Sequence, residues 1–203
     1  MMKRFYIVLF TCLYATLVNS QIAFVPKATM EPEIRETNSI EDAQPVQLSN
    51  SGKNKREIRL VLGNLKDSIN EHYGLYEGAP CINSGPCGNF ANLFYHKWNE
   101  RFDQKVSISF IMSADSSECY HVLIKLPNDD YYDGGNGILT RKYIIKGYEE
   151  GMYIIDMLEY DLELLEEKSY GLVREYPRCP NYSVDETADI IDIYLDRLRI
   201  SLN

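Results

Sequence analysis

Apolar residues recur at Ile58, Val61, Leu62, Leu65, Ile69 and Tyr73, three and four positions apart, which predicts a helix over 58–73. Gly74 and Gly78 end it, and a loop rich in Gly, Pro and Ser follows. Beyond the loop, Cys87, Ala91, Phe94 and Trp98 fall on one side at about 100° per residue with Phe90 beside them, which predicts a second helix from Cys87 to about Phe102. Pro86 suits its first position, where a missing N–H costs nothing, and Gly85 allows a sharp turn into it. The period then becomes alternating. Val106-Ser107-Ile108-Ser109-Phe110-Ile111 reads as a strand, 118–126 as another, and Tyr131-Tyr132-Asp133 as a third beyond the tight turn Pro127-Asn128-Asp129-Asp130. Gly134-Gly135-Asn136-Gly137 closes the last of these.

A short element is expected near 142–146. A helix is expected over 152–168, with Ile154, Leu158, Leu162 and Leu165 inward and Asp156, Glu159, Glu163, Glu166 and Glu167 on a solvated face. Ser183-Val184-Asp185-Glu186 is a capping box opening a last helix, 184–200, with Ile191, Tyr194, Leu195 and Leu198 inward. Helices, then an antiparallel hairpin, then helices again make α+β the natural class.

The N-terminus follows a different rule. Lys3-Arg4 precedes an apolar run from Phe5 to Val18, and Val18-Asn19-Ser20 offers small or acceptable residues for cleavage before Gln21, so 1–20 reads as a secretory signal peptide. Residues 21–56 are rich in Pro, Glu, Ser and Asn without a sustained apolar period and read as a disordered linker or a pro-segment ending at the basic Lys53-Asn54-Lys55-Arg56. A single α+β domain is then expected over 57–203, secreted and without stable membrane insertion once the leader is cleaved.

Composition narrows the functions. With 45% hydrophobic and 25% charged residues the chain is globular, and its net charge of −9 becomes −11 when the two leader cations leave, which argues against nucleic-acid or anionic-membrane partners. Asn181-Tyr182-Ser183 is a glycosylation sequon usable in a eukaryotic pathway.

The candidate chemistry is nucleophilic. A cysteine in the first turn of a helix sits among unpaired backbone N–H groups at the positive end of the helix dipole, which favours thiolate and can receive an oxyanion. His121, on the second strand, is the candidate base, and Asp133, across the hairpin turn, is placed to hold the imidazole. His72 and His96 read as surface residues. No cofactor or metal is expected: paired short Cys/His spacings for zinc are missing, and a calcium loop at 129–140 would need carboxylates where Tyr131 and Thr140 stand.

Gly85-Pro86-Cys87-Gly88-Asn89-Phe90-Ala91-Asn92-Leu93-Phe94, with His121-Val122-Leu123-Ile124 and Tyr131-Tyr132-Asp133, resembles the papain-like superfamily in the broad sense, nearest to compact bacterial and phage-type Cys-His-Asp hydrolases and transglutaminase-like domains. The resemblance covers about 81–136. It implies a helix-borne Cys87 packed on a small antiparallel sheet carrying His121 and Asp133, attack on the amide of a protein or peptide substrate, and no metal. Papain-type enzymes carry an oxyanion-hole glutamine six residues before the cysteine; here that position is Cys81, and Asn83 or Ser84 stand as substitute donors.

Cys12 leaves with the leader, so Cys81, Cys87, Cys119 and Cys179 remain, enough for two disulfides in three connectivities. Alternation turns Cys119 the same way as His121, and a Cys87–Cys119 bridge would silence the site. A free Cys87 fits best with Cys81 bonded to Cys119 or Cys179. The expectation is a secreted cysteine-dependent hydrolase or acyltransferase (peptidase, amidase, deamidase or transglutaminase-like); the competing class is a non-catalytic, disulfide-stapled secreted binder.

Overall fold

Both helical periods in the first half fold as helices, Gly52–Tyr73 (α1) and Cys87–Arg101 (α2). They are shown in a computed structural model that describes residues 45–48, 52–147, 151–169, 172 and 175–202. All of these fall within one unit, Glu41–Asn203. The expected signal peptide and most of the expected linker lie outside the described residues.

Between the two helices come a two-residue hairpin, Leu75–Tyr76 (β1) and Ala79–Pro80 (β2), and one 3-10 turn, Cys81–Asn83. After α2 the chain forms Ser107–Met112 (β3), Cys119–Lys125 (β4), Tyr131–Asp133 (β5) and Gly137–Leu139 (β6), followed by the helix Arg141–Gly147 (α3), the strand Tyr153–Asp156 (β7), and the helices Leu162–Lys168 (α4) and Val184–Leu202 (α5). The sheet runs β6-β5-β4-β3-β7, antiparallel throughout, so the fold is α+β with a small antiparallel sheet.

The sheet buries both faces, in line with strand alternation. Ile124 and Tyr132 join the main core with α1, α2 and α5, while Leu123 and Tyr131 pack with Ile111 and with Ile144 of α3. The apolar stripe of α2 supplies the centre of the main core. Phe94 stacks on Trp98 with ring centroids 5.6 Å apart and lies 5.2 Å from the Tyr132 ring. Both residues are fully buried, and the Trp98 indole N–H finds its partner in the Gln104 carbonyl at 2.9 Å. At the far end of α2, Arg101 bonds Asp192 (2.7 Å) and Asp196 (2.8 Å) of α5. The stripe read from the sequence is therefore the element on which sheet and helices meet.

Two expectations are corrected. The segment expected to be disordered up to Arg56 is structured in its described part: Val46 forms a parallel bridge with Phe102, Leu48 N–H donates to Asp103 at 2.8 Å, both side chains are buried, and α1 begins at Gly52. Lys53, Lys55 and Arg56 thus lie inside the first turns of a helix, where the apolar period has not begun but the backbone bonds have. The helix expected over 152–168 is instead β7, a turn and α4. Tyr153-Ile154-Ile155-Asp156 pairs with β3, so Ile154 and Leu158 do not share a helical face, and Leu158 is 95% exposed. Tertiary pairing overrides the four-residue spacing.

No helix among the described residues is long and apolar enough to cross a membrane. Because Phe94 joins α2 to the sheet in the best-packed part of the core, Phe94→Ala is expected to cost about 3–5 kcal/mol in urea unfolding, whereas truncating the exposed Leu158 is expected to cost under about 0.5 kcal/mol.

Candidate active site

Cys87 is the first residue of α2. Pro86 makes no side-chain cap, and the first backbone bond of the helix runs from Phe90 N–H to the Pro86 carbonyl at 2.9 Å, so the N–H groups of Cys87, Gly88 and Asn89 have no partners within the helix. Gly85 turns the chain into the helix at φ +140°, a conformation L side chains rarely adopt. The glycines also let other segments close in. A Cβ at Gly85 would lie 2.7 Å from the Tyr176 ring, and one at Gly88 would overlap Ser169. Residues from the later part of the chain, Ser169 and Tyr176, thus reach the helix start.

The three residues singled out in the sequence meet there. His121 and Asp133 are buried, and the imidazole Nε2 lies 3.1 Å from Asp133 Oδ2. The half-buried Cys87 thiol lies 3.9 Å from the Gly85 carbonyl, and the His121 imidazole and the Val122 N–H are near enough to stabilise its thiolate. With Nε2 facing Asp133, the ring has Nδ1 left for the sulfur. β4 carries a bulge at Tyr120, where the register shifts between the pairs Ile111↔His121 and Met112↔Cys119.

Electrostatics follow from these contacts. Burial raises the Cys87 pKa, but the His121 charge, the His121 hydrogen bond and the Val122 N–H outweigh it, and the net shift is downward. Burial lowers the His121 pKa, yet Cys87 and Asp133 together hold it well above the ordinary imidazole value. Burial would likewise raise Asp133, but its bonds to His121, Asn136 and Asn83 keep it low. These contacts favour the thiolate–imidazolium form of the pair, oriented by a carboxylate whose own pKa is lowered.

Asp133 is held by groups that the sequence reading did not assign. Its Oδ1 accepts from Asn83 Nδ2 (3.0 Å), from the Gly135 N–H (2.9 Å) and from the Asn136 N–H (2.5 Å), and its Oδ2 accepts from Asn136 Nδ2 (3.0 Å). Asp-Gly-Gly-Asn is a turn signature in which an aspartate bonds the backbone two residues on, so Asn136 had a readable signal. Asn83 had none. One of the two N–H groups of the Asn83 amide is committed to Asp133, so the substitute-donor role expected for Asn83 would fall to the other. Tyr176 was also missed; its hydroxyl accepts from the buried Asn89 at 2.8 Å.

These groups border a cleft of about 410 Å³ lined by Cys87, Cys119, His121, Lys168, Tyr176 and Arg178, among others. Cys119 shares it as expected, and its thiol bonds the His121 carbonyl at 3.4 Å. Burial and the neighbouring Cys87 push the Cys119 pKa up to about 11, so the two cleft thiols differ in character. All four described cysteines are free thiols. His72 and His96 are exposed, as expected. Among the described residues no three His, Cys, Asp or Glu side chains gather as a metal site.

In an NMR titration, His121 is expected to lose its proton well above pH 6.5, the ordinary imidazole value. In Cys87→Ala that midpoint is expected to fall, since the thiolate is the largest of the contacts that raise it. An unchanged midpoint would show that the two groups are not coupled. Comparisons with protein-family models, curated proteins and solved structures find no match to this chain.

Proposed function

We propose that the chain is a secreted cysteine-dependent hydrolase or acyltransferase that acts on an amide bond of a protein or peptide through Cys87, His121 and Asp133, on a papain-like arrangement of helix and sheet. The observation that carries this reading is the convergence of Cys87 and the hydrogen-bonded pair His121–Asp133 at an uncapped helix start, facing an open cleft. A structural cysteine needs neither a lowered pKa nor an oriented imidazolium.

The chemistry follows from the contacts. The Cys87 thiolate attacks the amide carbonyl carbon and forms a C–S bond, and the carbonyl electrons move to oxygen. The N–H groups of Cys87 and Gly88 at the helix start are the donors for that oxyanion. His121 then gives its proton to the departing amine nitrogen as the C–N bond breaks, leaving a thioester and a neutral imidazole. The imidazole next takes a proton from water, giving hydrolysis or deamidation, or from an amine, giving transamidation. Asp133 holds the ring in one tautomer throughout.

Iodoacetamide at mildly acidic pH is expected to label Cys87 ahead of Cys81, Cys119 and Cys179, as read by peptide mapping. In His121→Ala the rate at pH 6 is expected to drop roughly 10- to 100-fold, because an ordinary thiol is almost wholly protonated there. Equal labelling of Cys87 and Cys119, or a rate indifferent to His121, would refute the catalytic reading. That reading also requires Cys87→Ala to abolish cleavage of any peptide library component that the wild type turns over.

A further inference from the structure

The catalytic reading leaves two buried thiols unused. Cys81 opens the 3-10 turn that ends at Asn83, and Cys179 lies just beyond the Tyr176–Arg178 wall of the cleft. The 176–179 turn, closed by a bond from Cys179 N–H to the Tyr176 carbonyl at 2.8 Å, packs against 76–85 at two places. Tyr176 lies on Gly85, and the Arg178 guanidinium sits 5.8 Å over the Tyr76 ring. Between these two contacts lie the buried thiols of Cys81 and Cys179, near enough for Cys81 to perturb Cys179. Cys119 lies elsewhere, in the cleft with Cys87.

We propose that Cys81 and Cys179 form a disulfide when the protein folds under oxidising conditions, clamping the cleft wall to the turn that carries Asn83 and leaving Cys87 free. The oxidant is a small-molecule disulfide such as glutathione disulfide. One protein thiolate attacks it, releasing one glutathione thiol and leaving a mixed disulfide. The second protein thiolate attacks the protein-bound sulfur, forming the Cys81–Cys179 bond and releasing the second glutathione. Two protein thiols are oxidised, one glutathione disulfide is reduced to two thiols, and two protons leave.

Two features make this pair the product. Both sulfurs lie on short irregular segments, a 3-10 turn and a loop turn, which can adjust to the dihedral a disulfide requires more easily than a helix or an inner strand can. The bond also closes a long loop, the case in which a cross-link removes most freedom from the unfolded chain. Its effect on the site is indirect. Cys81 is two residues from Asn83, which bonds Asp133, and Cys179 is three from Tyr176, which bonds Asn89. The cross-link joins the supports of the catalytic carboxylate to the opposite wall of the cleft.

The test needs no substrate, so it stands or falls separately from the catalytic reading. Full-length protein is unfolded in reductant, refolded in a mixture of reduced and oxidised glutathione, quenched by alkylation and mapped without reduction. The expected product carries a Cys81–Cys179 cross-linked peptide, with Cys87 recovered alkylated or as its glutathione adduct. Its thermal midpoint is expected to fall by about 5–15 °C when reductant is added. The Cys81→Ser/Cys179→Ser variant should show no reductant-dependent shift. Recovery of a Cys81–Cys119 or Cys87–Cys119 link in place of Cys81–Cys179, or of Cys81 and Cys179 as separate thiols or adducts, would overturn the proposal.

Discussion

The feature on which the rest depends is the coupling of two buried titratable groups, Cys87 and His121. Burial opposes a charge on either one, and each favours the charged form of the other. Such a pair holds only if its geometry is fixed, because a small separation leaves two poorly solvated charges. The fold supplies the fixing. Cys87 is set by the start of a helix whose stripe, Phe90, Phe94 and Trp98, is locked into the core. His121 sits beside a bulge on β4, the central strand of the sheet β6-β5-β4-β3-β7, and it is turned by a carboxylate on the adjoining strand.

That fixing has a steric side. The helix start must be approached closely from several directions at once, which is why glycine stands where another residue would collide. Gly85 and Gly88 admit Tyr176 and Ser169, and Gly134 and Gly135 bring the loop after Asp133 against Phe90 and Asn83. Any side chain at Gly135 would sit 2.6 Å from Asn83 Nδ2 and push away one of the donors that hold Asp133. The glycines near the site thus serve close approach more than flexibility.

Much of this was legible in the sequence because it rests on local rules. The α2 stripe, the alternating strands and the order Cys87, His121, Asp133 all follow from period, turn residues and spacing. What was not legible depends on partners distant in sequence. Asn83 is fifty positions from Asp133, and nothing in Cys81-Ile82-Asn83 announces that its amide will face a carboxylate. The 152–168 stretch misled because Ile154, Leu158 and Leu162 are four apart, as helical residues are. Their true surroundings are set by β3, whose free edge recruits 153–156. The early start of α1 escaped notice because Lys53, Lys55 and Arg56 carry no apolar signal yet lie within the helix.

The donors around Asp133 also decide what that carboxylate can do. Four bonds from neutral amide groups, two from the backbone and two from asparagine side chains, favour the ionised form before His121 is counted. A carboxylate so held is a poor proton acceptor, so the shared proton stays on the His121 ring. A single positively charged residue in place of these amides would also keep Asp133 ionised, but it would compete with His121 for the carboxylate and lower the imidazole pKa by repulsion. Neutral donors stabilise the anion without neutralising it. The full charge of Asp133 therefore remains available to the imidazolium, and through it to the thiolate on which the site depends.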